Sequence, residues 1–279
     1  MLKDIFNYRF FLLLNIKRDI NEKYKGSILG LLWTFINPLS LTLLYYLIFP
    51  HILKSQEENY VTFLLIGILS WNYFSRGILN ATKSITTNRG LLKKVYFPKI
   101  ILPITISISE LINYLISLLI VFVFIIISKI GFNINILLLG FIIFIQFILI
   151  LGISLITSSI NVFFRDIEYI TEFILKLIYY ISPVFYATKM FKDTKMELLI
   201  NLNPMTTIIN SYRDILLNHT TPNLINLGSV LIVSLMILLV GIFIFNKLEK
   251  MELEKSNSPF CLEWFASLIN SEISLVQCK

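Results

Sequence analysis

The chain has little of what soluble chemistry requires. It carries two cysteines and two histidines in 279 residues. His51 and His219 stand alone, and no cluster of His, Cys, Asp or Glu has metal-ligand spacing, so a metal centre is excluded. No Gly-x-x-x-x-Gly-Lys-Ser/Thr segment is present, so the chain cannot cradle ATP phosphates in the P-loop manner. No Ser-His or Cys-His arrangement suggests a nucleophile, and no catalytic residue is expected. Cys261 and Cys278 both fall in the polar tail and read as reduced cytosolic thiols. A signal peptide is also missing, because Lys3, Asp4, Arg9, Lys17 and Arg18 interrupt any apolar stretch near the start.

What is abundant is apolar length. Hydrophobic residues make up 56% of the chain, with a mean hydropathy of +0.79. A soluble domain of this size needs more polar surface. A bilayer instead demands elements that satisfy their own backbone hydrogen bonds, either helices or a closed barrel. Barrel strands alternate polar and apolar residues, whereas runs such as 134–145 are continuous, so the expected fold is an all-α membrane protein. The pattern predicts six transmembrane helices near 31–50, 61–80, 101–128, 134–164, 168–188 and 223–245. The stretch 134–164 exceeds a bilayer, so it must tilt, break near Gly152 or project beyond the lipid. Arg76 sits near the expected end of the second span, where it could snorkel. Phe6, Phe10, Leu13 and Leu14 recur at helical spacing, predicting an N-terminal amphipathic interface helix. Pro183, Pro204 and Pro222 interrupt 183–222, predicting outer re-entrant half-helices packed on protein. Residues 1–255 form one transmembrane domain, and 256–279 a cytosolic tail.

Basic residues set the orientation. With the N-terminus inside, six Lys and Arg of the first segment, six of 76–99, Arg165 and four of the tail face the cytosol. Only Lys54, Lys129, Lys189, Lys192, Lys195 and Arg213 fall outside. This bias predicts a multi-pass protein of the cell (inner or plasma) membrane with both termini cytosolic. The net charge of +7 then concerns topology and anionic lipid, not nucleic acid.

The connector 81–99 has five basic residues and no acid. Leu91, Leu92, Val95 and Tyr96 share one face of a short helix that Pro98 ends. Such a helix could dock on a soluble partner or lie on anionic membrane lipid, and composition does not separate the two. Glu168, Glu172 and Lys176 share a face, either as an interface cluster with Glu172 paired to Lys176 or as a polar strip on a transport path. Glu110 lies within a span, as a helix–helix contact or a functional carboxylate.

Several segments in order resemble a known family. Lys17-Arg-Asp through Tyr24-Lys-Gly-Ser-Ile-Leu-Gly-Leu-Leu-Trp33 to Asn37-Pro38 resembles the opening of membrane subunits of ABC-2-type polysaccharide exporters. Phe63 to Phe74, Asn88 with Leu91 to Pro98, Asn161-Val-Phe-Phe-Arg-Asp166, Ser182 to Tyr186 and Asn203 to Thr206 continue the likeness in sequence. Asn21-Glu22 departs from it, since the family usually has a basic residue there. The resemblance implies a homodimer with a separate pair of ATP-binding ABC subunits. ATP and Mg would sit on that partner, and this chain would bind no cofactor. It implies export of a lipid-linked polysaccharide of O-antigen, capsule or teichoic acid type. Leu91, Leu92, Val95, Tyr96, Arg165 and Asp166 would couple to the ATPase, and Arg18, Asp19, Tyr24 and Lys25 would belong to a gate helix.

Sugars present C–H faces that pack on rings. Trp33, Tyr45, Tyr46, Trp71, Tyr73, Tyr179, Tyr180 and Tyr186 are therefore candidates for a substrate path, although Tyr and Trp also anchor helices at membrane interfaces. Two competing functions remain: an ABC-2-type exporter of a drug or lipid, and an ion-coupled secondary carrier. The carrier would require paired ionisable groups at mid-membrane and inverted repeats.

Overall fold

The computed structural model describes residues 8–53, 59–92, 94–95, 97–191 and 194–257. Every regular element among them is a helix. Helix α1 (Arg9–Tyr24) leads through Gly26 and Gly30, both at positive φ, into α2 (Trp33–Leu53). Then come α3 (Tyr60–Thr87), a single turn α4 (Arg89–Leu92), α5 (Ile101–Ile127), α6 (Leu139–Asn161) and α7 (Ile167–Ile181). Two short helices, α8 (Lys195–Leu202) and α9 (Pro204–Leu216), precede α10 (Leu224–Asn257). Cys261, Cys278 and most of the expected tail lie outside the described residues.

Local chemistry places the helix starts. Pro103 falls in the first turn of α5, where its missing N–H costs nothing. Pro204 opens α9, and the Asn203 side chain accepts a hydrogen bond from Met205 N at 3.0 Å. The Asn223 side chain accepts from Ile225 N and Asn226 N at the head of α10.

Four segments are long and apolar enough to cross a membrane: Gly30–Phe49, Ile101–Ile127, Ile134–Asn161 and Leu224–Lys250. Helix α3 is the packed centre, with Leu64, Leu65, Ile78 and Ala81 almost wholly buried. Its 28 residues reach about 42 Å, but Asn72, Arg76, Asn80 and Lys83 dilute its apolar character. The predicted fifth span shortens to the 15 residues of α7, about 22 Å, less than the ~30 Å hydrocarbon core. Its chain turns extended at Ser182, directly before Pro183.

No break occurs at Gly152. A 3-10 turn, Ile134–Leu138, begins the long stretch, and α6 continues through Gly152 to Asn161. The glycine instead admits α10: a Cβ there would lie 2.7 Å from Leu238 N. A Cβ on Gly241 of α10 would meet Gly152 O at 2.6 Å. Two glycines facing each other let the backbones approach as small-residue membrane interfaces do.

Asn161 Nδ2 donates to Thr82 O (3.0 Å), and Lys83 pairs with Glu168 (2.7 Å). These contacts put the α6–α7 turn beside the C-terminal end of α3. Lys99 N donates to Glu249 Oε1 at 3.3 Å, so α10 descends to the same end. The basic connectors thus gather at one end of the bundle.

Candidate functional site

Helix α1 enters from that end alongside the first half of α5, from Phe11 against Phe97 to Tyr24 against Asn113, and borders a cavity of about 370 Å³. Trp33, Thr34 and Asn37 of α2, Tyr73, Arg76 and Asn80 of α3, and Glu110, Asn113 and Ser117 of α5 line it. Lys23 and Tyr24 form its cover. The α3 positions recur three or four apart, so one helix face supplies all of them.

An ion pair fastens the cover. Lys23 Nζ lies 2.9 Å from Glu110 Oε1 and 2.8 Å from Asp19 Oδ2. Asn80 Nδ2 donates to Glu110 Oε1 at 2.6 Å. Glu110 is only 5% exposed, and a buried carboxylate needs such partners. Burial pulls the Lys23 pKa down, but the negative Glu110 and Asp19 outweigh it and hold the ammonium above its ordinary 10.5. Tyr24 adds a second fastening, its hydroxyl 2.7 Å from Thr34 Oγ1 and donating to Asn113 Oδ1 at 3.1 Å. Of the expected gate-helix residues, Asp19 and Tyr24 thus meet the bundle or its partner lysine, whereas Lys25 is exposed past the helix end.

Arg18 points the other way. Its Nη2 donates to Asn88 Oδ1 at 3.0 Å, linking α1 to the residue of the connector that follows α3. The Phe11 and Phe97 rings lie 4.5 Å apart, and Leu91 and Leu92 pack on the cluster containing Leu12 and Ile16. The connector is less regular than its sequence predicts: helix is confined to Arg89–Leu92, and Val95 is exposed rather than aligned with the leucines. Pro98 draws the preceding backbone out of helix geometry. Tyr96 lies outside the described residues. Arg165 and Asp166 are exposed at the same end, on the α6–α7 turn.

The aromatic candidates separate into three groups. Trp33 and Tyr73 line the cavity. Tyr45, Trp71, Tyr179 and Tyr186 belong to a ring cluster joining α2, α3, α7 and the loop after α7. Tyr179 Oη donates to Tyr45 Oη at 2.9 Å, and the Trp71 ring is 5.4 Å from that of Tyr179. Trp71 and Tyr186 are buried, so no path passes over them in this conformation. Tyr46 and Tyr180 are exposed, the latter at 68%.

Arg213 corrects the loop reading. Counted from sequence as an outside charge, it is 3% exposed. It donates to Pro183 O (2.6 Å), Val184 O (2.8 Å) and Phe63 O (3.3 Å), with its guanidinium 3.4 Å from the Phe63 ring centroid. It therefore fastens the chain leaving α7 onto α3. Gly67 makes room, since a Cβ there would lie 2.8 Å from Arg213 Nη2. Only the spacing of Arg213 among Ile209, Tyr212 and Leu216, all buried, hinted at an inward face. Arg76 lies 11 residues before the end of α3, about 16 Å along the axis, and lines the cavity wall. Glu172 and Lys176 pair at 2.7 Å on an exposed face.

Known proteins match this chain in sequence over most of its length. Residues 11–217 match the family described as ABC-2 type transporter. The chain is 31% identical over 249 residues to the O-antigen export system permease protein RfbA of Klebsiella pneumoniae, covering 87% of this chain and 93% of that protein. It is 30% identical over 246 residues to the protein of the same name from Myxococcus xanthus, covering 88% and 95%. With most of its length matched, from α1 through α9, the chain belongs to the ABC-2 type transporter family.

Proposed function

We propose that the chain is the transmembrane subunit of an ATP-driven exporter that moves a lipid-linked polysaccharide outward across the cell membrane. The substrate class follows from relatives named for O-antigen export; capsule and teichoic acid chains share its chemistry. The observation that carries the mechanism is the direct contact between α1 and the connector, Arg18 to Asn88, at the end where the α6–α7 turn also lies.

In this reading a pair of ATP-binding subunits docks on 88–99 and 165–166 from the cytosol, holding ATP and Mg themselves. Asn88 and Phe97 already touch Arg18 and Phe11 of α1, so displacement of the connector reaches α1 without an intervening element. Movement of α1 parts Lys23 from Glu110 and uncovers the cavity. A second copy of the chain completes the path. The exposed apolar faces of α2 (Leu43, Leu47) and α7 (Phe173, Leu177) give it a surface against which to form. Six spans, with 183–222 as the outer segment and both termini in the cytosol, complete the topology.

Co-purification with the ATP-binding subunit tests the docking. Leu92→Asp and Tyr96→Asp should abolish association and stimulated ATP turnover. Persistence of both would remove the connector from the coupling path.

A further inference from the structure

We propose that Arg76 is the docking point for a phosphate group carried on a membrane lipid, and this inference rests on the lipid-linked substrate reading above. Arg76 lies on α3, on the cavity wall shared with Asn113 of α5. It is exposed, and among the described residues it makes no hydrogen bond or ion pair. The other charges at the cavity are engaged: Glu110 holds Lys23 and Asn80, and Lys23 is shared with Asp19. A cation within apolar helices calls for an anion or water. One turn earlier on α3, the Tyr73 hydroxyl is buried without a hydrogen-bond partner. Asn72 and Asn113 add amide donors. A planar guanidinium with neutral donors around it suits phosphate oxygens, which accept from several directions.

The cavity wall also argues for a lipid-borne phosphate. Trp33 lines the cavity and is 44% exposed, so the wall continues onto the outer face of α2. That face is apolar at Leu32, Ile36 and Leu43. A head group at Arg76 could therefore leave its hydrocarbon along α2, in the bilayer. A free anion has no use for that face.

The test is equilibrium binding of ³²P-labelled dodecyl phosphate to the full chain in phosphatidylcholine nanodiscs, with empty nanodiscs subtracted. Saturable binding is expected, weakened about tenfold or more by Arg76→Gln, the scale of losing a charged hydrogen-bond donor. Arg76→Lys should fall between, and Tyr73→Phe should weaken binding severalfold in a protein that keeps the cation. Dodecanol should not compete. Unchanged binding in Arg76→Gln, or no saturable binding by the unaltered chain, overturns the proposal. Competition by inorganic phosphate as strong as by dodecyl phosphate overturns the lipid source. The reading of function fails separately, by a surface polysaccharide that persists without the gene.

Discussion

Lys23 on the interface helix and Glu110 on α5 form an ion pair at 2.9 Å across 87 residues of sequence. It joins α1 to the buried face of α5, beside which α1 runs. Removing one partner of such a pair leaves a buried charge uncompensated. Lys23→Met takes the lysine away from the buried Glu110 carboxylate and should therefore destabilise the attachment of α1 by about 3 kcal/mol, and the double change with Glu110→Gln should recover part of that loss. Thermal unfolding of the three variants in detergent checks both the loss and the recovery.

The same pair has a pH signature. Lys23 titrates higher when folded than its ordinary 10.5, so the folded state binds the proton more tightly. Its stabilisation is complete below about pH 10.5 and declines as pH rises through the folded value. A spin label at exposed Leu14 should stay immobile from about pH 7 to 10 and loosen above. The Glu110→Gln variant should lose that dependence.

Gly152 and Gly241 set the distance between α6 and α10. Gly152→Ala places a Cβ against the Leu238 backbone, which cannot swing aside. The helices must separate, so the melting temperature should fall. Gly140→Ala, with open space around its Cβ, should leave it unchanged. A similar fall in both would show that something other than the α6–α10 approach is being measured, since alanine by itself favours a helix over glycine.

Arg213 holds three carbonyl oxygens at the exit of α7. Arg213→Met should cost about 3 kcal/mol, since buried acceptors lose charged donors. Arg213→Lys should restore only part, because an ammonium lacks the planar fork. Hydrogen exchange across 182–187 should accelerate in both, more in the methionine variant.

If Arg18 and Asn88 transmit motion, Asn88→Ala should leave the complex assembled but lower its stimulated ATP turnover. Pull-down and turnover measured on one preparation separate these effects. Loss of assembly would make Asn88 a folding residue instead.

Helix identity was legible because uninterrupted apolar runs have one solution in lipid. The family was legible from ordered short segments spread from Lys17 to Thr206, and the relatives agree with it. Pairings between distant residues were not. Nothing in the spacing of Lys23 and Glu110 says that they meet, because the meeting depends on how α1 folds back after Gly26 and Gly30. The partners of Arg213 were hidden for a related reason: charge counting assigns a side of the membrane and says nothing of contacts, and here three carbonyls and a ring surround the guanidinium. A break near Gly152 was one of three readings of the long stretch because helix propensity concerns one helix, whereas the glycine's role is set by another. The shortness of α7 was hidden by the apolar residues after Ile181, which pack in a loop instead of extending the helix.

Surface polysaccharide in a strain lacking the gene tests the central claim most directly. The account predicts loss of the surface glycan, with lipid-linked polymer accumulating in the cytosol and both effects reversed by the unaltered gene. Normal surface glycan together with lost resistance to a drug would contradict it and assign the chain to another substrate.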